Sequence, residues 1–169
     1  SRVFTGELNR HRAGCAISEG SMRYIRYDDI PWWLPTSLEQ NPKDDPDTKD
    51  KKERTRMLFN DVYDYIETKY ACLCKLWGIE NMKNFSEKKK LTSLFRRIIP
   101  MGVATGGVWT FNIRALRHII TMRASEHAEE EICYVFSRIA KMIVELEPSL
   151  FGDFVETEEG YWIPKYKKI

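Results

Sequence analysis

The chain has 169 residues, 43% hydrophobic, 12% aromatic and 31% charged, a balance that excludes intrinsic disorder and points to one globular domain. At this length about 68–70% of the unfolded chain's surface can be buried, so a core can form without disulfides or a structural metal. The 27 Lys and Arg against 25 Asp and Glu leave a formal charge of +2, which excludes a surface built to coat nucleic acid, so any anionic partner must be met by locally placed arginines.

The start, Ser1-Arg2-Val3-Phe4, has no apolar core of signal-peptide length, and no later run approaches the ~20 apolar residues of a membrane helix. A cytoplasmic protein is expected. A dense polar cluster follows, and then Trp32-Trp33-Leu34-Pro35, which comes after Pro31 and reads as an irregular or edge segment carrying aromatic bulk. The stretch 41–50, with two prolines and alternating charges, is expected to be an exposed loop. From about Lys52 to Trp77 the apolar residues Leu58, Val62, Ile66, Leu73 and Leu76 recur at multiples of three and four, which predicts a long amphipathic helix.

A second helix is expected from an N-cap near Ser86 through Leu91, Leu94 and Phe95, stopping at or before Pro100. Gly102, Gly106 and Gly107 mark a turn. A third helix should cover about Val108 to Arg123, and a fourth about His127 to Glu147, closed by Pro148. The tail from Phe154 to Ile163 is β-prone around a Glu159-Gly160 turn. Cys15, Cys72, Cys74 and Cys133 are few and irregularly spaced, which fits reduced thiols. Cys72-Leu73-Cys74 lacks the spacer and second ligand pair of a zinc site and reads as helix packing, so no metal is expected.

Two constellations carry chemistry. In the first, Glu7, Arg10-His11-Arg12 and Ser18-Glu19-Gly20-Ser21-Met22-Arg23 bring together guanidinium forks, hydroxyls and a permissive glycine, the groups that cradle a phosphate. From composition alone a solvated basic turn is the plainer reading. In the second, on the third helix, Asn112 and Arg123 are eleven residues apart and project from nearly one face, where they can share a ligand. Arg114 and His118 form an i, i+4 pair on a neighbouring strip, Phe111, Ala115, Ile119 and Met122 fill the buried side, and Arg117 reads as scattered surface charge.

Together these segments resemble the flavin-dependent thymidylate synthases. Arg10-His11-Arg12 followed by Ser21 resembles the family signature, with eight residues (13–20) between the two where the family has seven. Arg96 with Pro100, then Trp109-Thr110-Phe111-Asn112-Ile113-Arg114-Ala115-Leu116, and Arg123 with His127-Ala128-Glu129 and Glu131-Ile132, resemble its later blocks. His118 stands where many members have Asn, and Glu129 where many have Gln.

The resemblance implies an α+β fold, an antiparallel sheet flanked by helices and helix-rich in this portion. It implies one domain over 1–169 whose N-terminal strands would precede Ser1. By the same resemblance Arg10, His11 and Arg12 line the flavin and folate region, and Asn112, Arg114 and His118 hold FAD. Glu7, Glu19, Ser21, Arg23 and Arg96 bind dUMP, with Ser21 and Arg23 near its phosphate, and Arg123 contacts the uracil ring as the catalytic charge. The implied reaction is reductive methylation of dUMP to dTMP, with methylenetetrahydrofolate as carbon donor, NADPH as reductant and a homotetramer with shared active sites, in a bacterium or a virus-infected host cell. The alternatives are a non-enzymatic module binding nucleic acid through its arginines and aromatics, against which the near-neutral charge argues, and an inactive relative.

Overall fold

The computed structural model describes residues 1–21, 27 and 31–166. Its helices are α1 (Arg2–Leu8), α2 (Pro46–Leu76), α3 (Phe85–Phe95), α4 (Ile113–Arg123), α5 (Glu130–Leu146) and α6 (Pro148–Phe151). Its strands are β1 (Cys15–Glu19), β2 (Gly107–Phe111), β3 (Phe154–Glu156) and β4 (Trp162–Pro164). The architecture is helix-rich with small antiparallel sheets, β1 with β2 and β3 with β4. No helix among the described residues is long and apolar enough to cross a membrane. The chain forms two compact units, Ser1–Glu19 with Gly106–Ile169, and Gly20–Thr105.

In the first unit the predicted third helix is divided. Val108-Trp109-Thr110-Phe111 is β-branched and aromatic, and pairs in strand β2 with β1 in the register Cys15↔Phe111 to Glu19↔Gly107. Helix α4 begins only after Asn112, whose side-chain oxygen accepts from the Ala115 amide at 2.8 Å. Asn112 is therefore a cap, not a member of the helical face expected to carry it with Arg123. Likewise α5 starts at Glu130 rather than His127, because the Glu129 carboxylate accepts from the amides of Glu131 and Ile132 at 3.0 and 3.2 Å. The α1 helix was not foreseen; Ser1 Oγ accepts from Val3 N and Phe4 N at its start.

The core of this unit joins Leu8 of α1, Ile119 and Ile120 of α4, Ile132, Phe136 and Ala140 of α5, and Phe151, Phe154 and Trp162 from the tail, all buried. Ile120 was missed as a core residue, whereas Met122, expected inside, is exposed. Arg117 is a correction of a different kind. Its guanidinium makes a bidentate pair with Asp153 at 2.7 and 2.8 Å, donates to the Leu150 carbonyl and lies over the Phe154 ring. Far from scattered surface charge, it ties α4 to the segment after α6. The hydrogen bond from Arg117 holds the Asp153 carboxyl below its ordinary value.

In the second unit α2 begins at Pro46, six residues before the predicted start, so the exposed loop expected over 41–50 ends at Asp45. Asp45 is the cap, accepting from the Thr48 amide at 3.0 Å, and Pro46 at the first position needs no amide partner. Helix α2 ends at Leu76 with Trp77 as its C-cap, and Gly78 just beyond turns the chain away with a left-handed φ of 58°. Asn84 rather than Ser86 caps α3, its oxygen accepting from Ser86 N and Glu87 N. The edge segment at Trp32 bridges Val103, and the Trp32 ring stacks on Tyr63 with centroids 4.3 Å apart. The core here is Tyr27, Tyr63, Tyr70, Cys74, Ile79, Phe95 and Val103.

Candidate functional site

The turn between α1 and β1 carries Arg10, His11 and Arg12 and delivers His11 toward α4. Arg123, the last residue of α4, donates from Nε to His11 Nε2 at 2.9 Å and pairs through Nη1 with the Glu7 carboxylate at 2.9 Å. Nη2 reaches the Glu7 carbonyl at 3.4 Å. Arg10 closes on the other Glu7 oxygen at 3.0 Å while remaining exposed, and Arg12 is exposed. Glu7 thus holds two guanidinium groups and orients the inner one. Because Arg123 Nε can only donate, the accepting His11 nitrogen carries its lone pair, so the imidazole is neutral in this arrangement. Burial, then the Arg123 charge, then His118 push the His11 pKa below its ordinary 6.5, against an opposing pull from Glu7.

His11 meets the His118 ring edge-on, with centroids 5.9 Å apart. His118 in turn lines a cavity of about 870 Å³ together with Asn112 and Arg114, so the three residues expected to share one ligand do share one cavity. Arg114, His118 and Thr121 lie at i, i+4 and i+7 on one stripe of α4. Ala13 and Gly14 supply one wall, and Pro164 and Tyr166 another. Sequence reasoning missed Gly14, Thr121 and Tyr166. Gly14 had a readable signal, a glycine just before a strand. Its φ is 71°, its carbonyl accepts from Asn112 N at 2.9 Å, and an added Cβ would overlap the Asn112 carboxamide. Nothing in the sequence brings Tyr166 back to α4.

The remaining expected residues are placed differently. Glu19, at the end of β1, is bound by Arg2 at 3.0 Å and by Asn9 at 3.3 Å; Asn9 also accepts from the Trp109 indole at 3.2 Å. Glu19 therefore serves the packing of α1 on the paired strands β1 and β2. Arg96 is exposed on the turn after α3, and Ser21 is half-buried; both belong to the second unit. Arg23 lies outside the described residues. No group of three or more His, Cys, Asp or Glu among the described residues could hold a metal. Burial pushes the Cys15 and Cys133 thiols up, away from the thiolate a nucleophile needs.

The chain matches the family model described as thymidylate synthase complementing protein over residues 1–149. It is 32% identical over 154 residues to the flavin-dependent thymidylate synthase of Mycobacteroides abscessus, covering 91% of this chain and 58% of that protein. It is 29% identical over 158 residues to the protein of the same name from Corynebacterium glutamicum, covering 93% and 60%. The chain thus spans less than two thirds of the length of these relatives. Among solved structures it resembles two of flavin-dependent thymidylate synthase from Helicobacter pylori with FAD and dUMP. Their TM-scores are 0.53 and 0.58 at 20% and 19% identity, covering 90% of this chain and 68% and 67% of theirs. At such identity the likeness speaks for the fold.

Proposed function

This chain belongs to the flavin-dependent thymidylate synthase family, and on that premise we propose that it forms dTMP from dUMP by reductive methylation. The observation that carries this reading is the cavity of about 870 Å³ against α4, into which Asn112, Arg114 and His118 converge beside the Arg123–His11–Glu7 cluster. The donor set suits FAD: a guanidinium for phosphate, an imidazole and a carboxamide for polar ring edges, and apolar Ile113, Pro164 and Tyr166 for flat surfaces. When bound, FAD supplies hydride from NADPH to the carbon that methylenetetrahydrofolate donates.

In this proposal Asn112, Arg114 and His118 hold FAD, and Arg10, His11 and Arg12 border the flavin and folate. Glu7, Glu19, Ser21, Arg23 and Arg96 serve dUMP. Arg123 places a permanent charge against the uracil ring, where it stabilises developing negative charge; the carboxylate of Glu7 and the neutral imidazole of His11 hold it in one orientation. The folate substrate, NADPH, self-assembly with shared sites and a cytoplasmic setting belong to the same proposal.

The test is direct. Purified protein should be yellow with flavin, and should convert dUMP to dTMP when given methylenetetrahydrofolate and NADPH, read by chromatography. Arg123→Ala should lower the rate about 10²–10³-fold while flavin stays bound. Protein that carries salt-displaceable nucleic acid and no flavin would replace this reading with the nucleic-acid module. Flavin without turnover would make it an inactive relative.

A further inference from the structure

Helix α2 spans 31 residues, and the apolar stripe predicted on it divides: Ile66 and Leu73 pack against the buried cluster, whereas the rest of the stripe does not. Tyr63, Tyr70 and Cys74 go inside, whereas Leu58, Val62, Tyr65 and Leu76 are exposed at 67, 52, 63 and 78%. With Lys69 and Cys72, also exposed, these residues recur at intervals of four, three, four, three and four. That is the spacing of a coiled-coil seam, about 27 Å long at 1.5 Å per residue. We propose that α2 pairs along this seam with α2 of a second copy of the chain, the two helices running antiparallel about an axis near Glu67.

Charge selects both the occupant and the direction. In the antiparallel register Leu58 faces Leu76 of the other copy, Val62 faces Cys72 and Tyr65 faces Lys69. Lys69 already holds its ammonium 5.0 Å from the centre of its own Tyr65 ring, so the same cation–π contact is available across the axis. Flanking the seam, Asp61 and Lys75 are both exposed, and neither forms an ion pair among the described residues. Antiparallel pairing brings Asp61 to within two residues, about 3 Å, of the level of Lys75 on the other copy, within reach of a lysine side chain. A parallel pair would set Lys69 against Lys69 in the seam. A symmetric dimer uses the same patch twice, as this seam requires. The proposal names a contact face for the self-assembly proposed above, and its readout needs neither flavin nor dUMP.

The test uses the whole chain with Val62→Cys. Mild oxidation should link the substituted position to Cys72 of a second copy, identified by mass spectrometry of the cross-linked peptide. Adding Cys72→Ser should abolish the link. Leu76→Asp should weaken self-association at least tenfold in sedimentation while the helical circular dichroism is unchanged. A Cys72–Cys72 link in the unsubstituted chain would overturn the antiparallel direction. A chain that sediments as a monomer, or one whose association is indifferent to Leu76→Asp with circular dichroism intact, would overturn the seam.

Discussion

Arg123 and His11 share one hydrogen bond whose direction sets a protonation state: the guanidinium can only donate, so the imidazole must accept. Protonating His11 breaks that bond and sets two cations side by side. The pKa of His11 lies below 6.5, so the unfolded chain binds its proton first as pH falls. This site's contribution to stability is thus full above about 6.5 and is lost as pH falls from there through the folded value. We expect the His11 ring resonances to titrate below 6.5 by NMR and to move upward in Arg123→Ala, short of 6.5 because burial remains; an unmoved titration would uncouple the pair. Arg117 illustrates the opposite outcome for an arginine on the same helix. Its bidentate bond to Asp153 makes Arg117→Ala destabilising by about 1.5–3 kcal/mol in denaturant unfolding. Arg117→Lys should not restore it, because an ammonium cannot match two carboxylate oxygens in one plane.

At the scale of elements, the start of α4 depends on a glycine outside it. Gly14 leaves room for the Asn112 cap, so Gly14→Ala should cost both a left-handed backbone conformation and the cap, whereas Asn112→Ala should cost about 1 kcal/mol. The two should be less than additive: with Asn112 already shortened, Gly14→Ala has no carboxamide to displace, leaving mainly backbone strain. Thermal unfolding of the four proteins in the cycle measures this, and full additivity would separate the two positions. Helix α2 shows an unevenness of its own. No residue before Tyr63 is buried, so amides of 46–60 should exchange faster with deuterium than those of 63–74. Helical periodicity revealed α2 in the sequence, yet a stripe of Leu58, Val62 and Leu76 looks the same whether it meets the chain's own core or another surface. Strand β2 was missed because five residues of β-prone sequence next to a helix can only be recognised once β1 pairs with them.

Across the whole molecule, stability rests on two separate clusters of buried side chains. In the first, Phe136 is almost fully buried and stacks near Phe4, with centroids 6.4 Å apart. Phe136→Ala should cost about 3–5 kcal/mol, measured by denaturant unfolding. Leu150→Ala, at a half-open position of the same unit, should cost much less. This unit joins two stretches far apart in sequence, 1–19 and 106–169. The segment between supplies the second cluster and its aromatic stack of Trp32 on Tyr63.

Read alone, the sequence determined what its local chemistry determines: the helical periodicities, the turn at Glu159-Gly160, cysteines outside any metal spacing, and motif residues specific enough to mark the family. Through the family resemblance, and not through helical spacing, which set Asn112 with Arg123, it also named Asn112, Arg114 and His118 as one group and Arg123 as the catalytic charge. Tertiary structure alone decided that Asn112 caps rather than joins α4, that Arg117 is bound to Asp153, that Glu19 braces α1, and that Tyr166 closes a cavity on a distant helix. The physical reason is range. Capping preference and periodicity act over three or four residues, whereas each of those contacts joins residues brought together by the burial of apolar surface far apart in the chain, which no local pattern encodes.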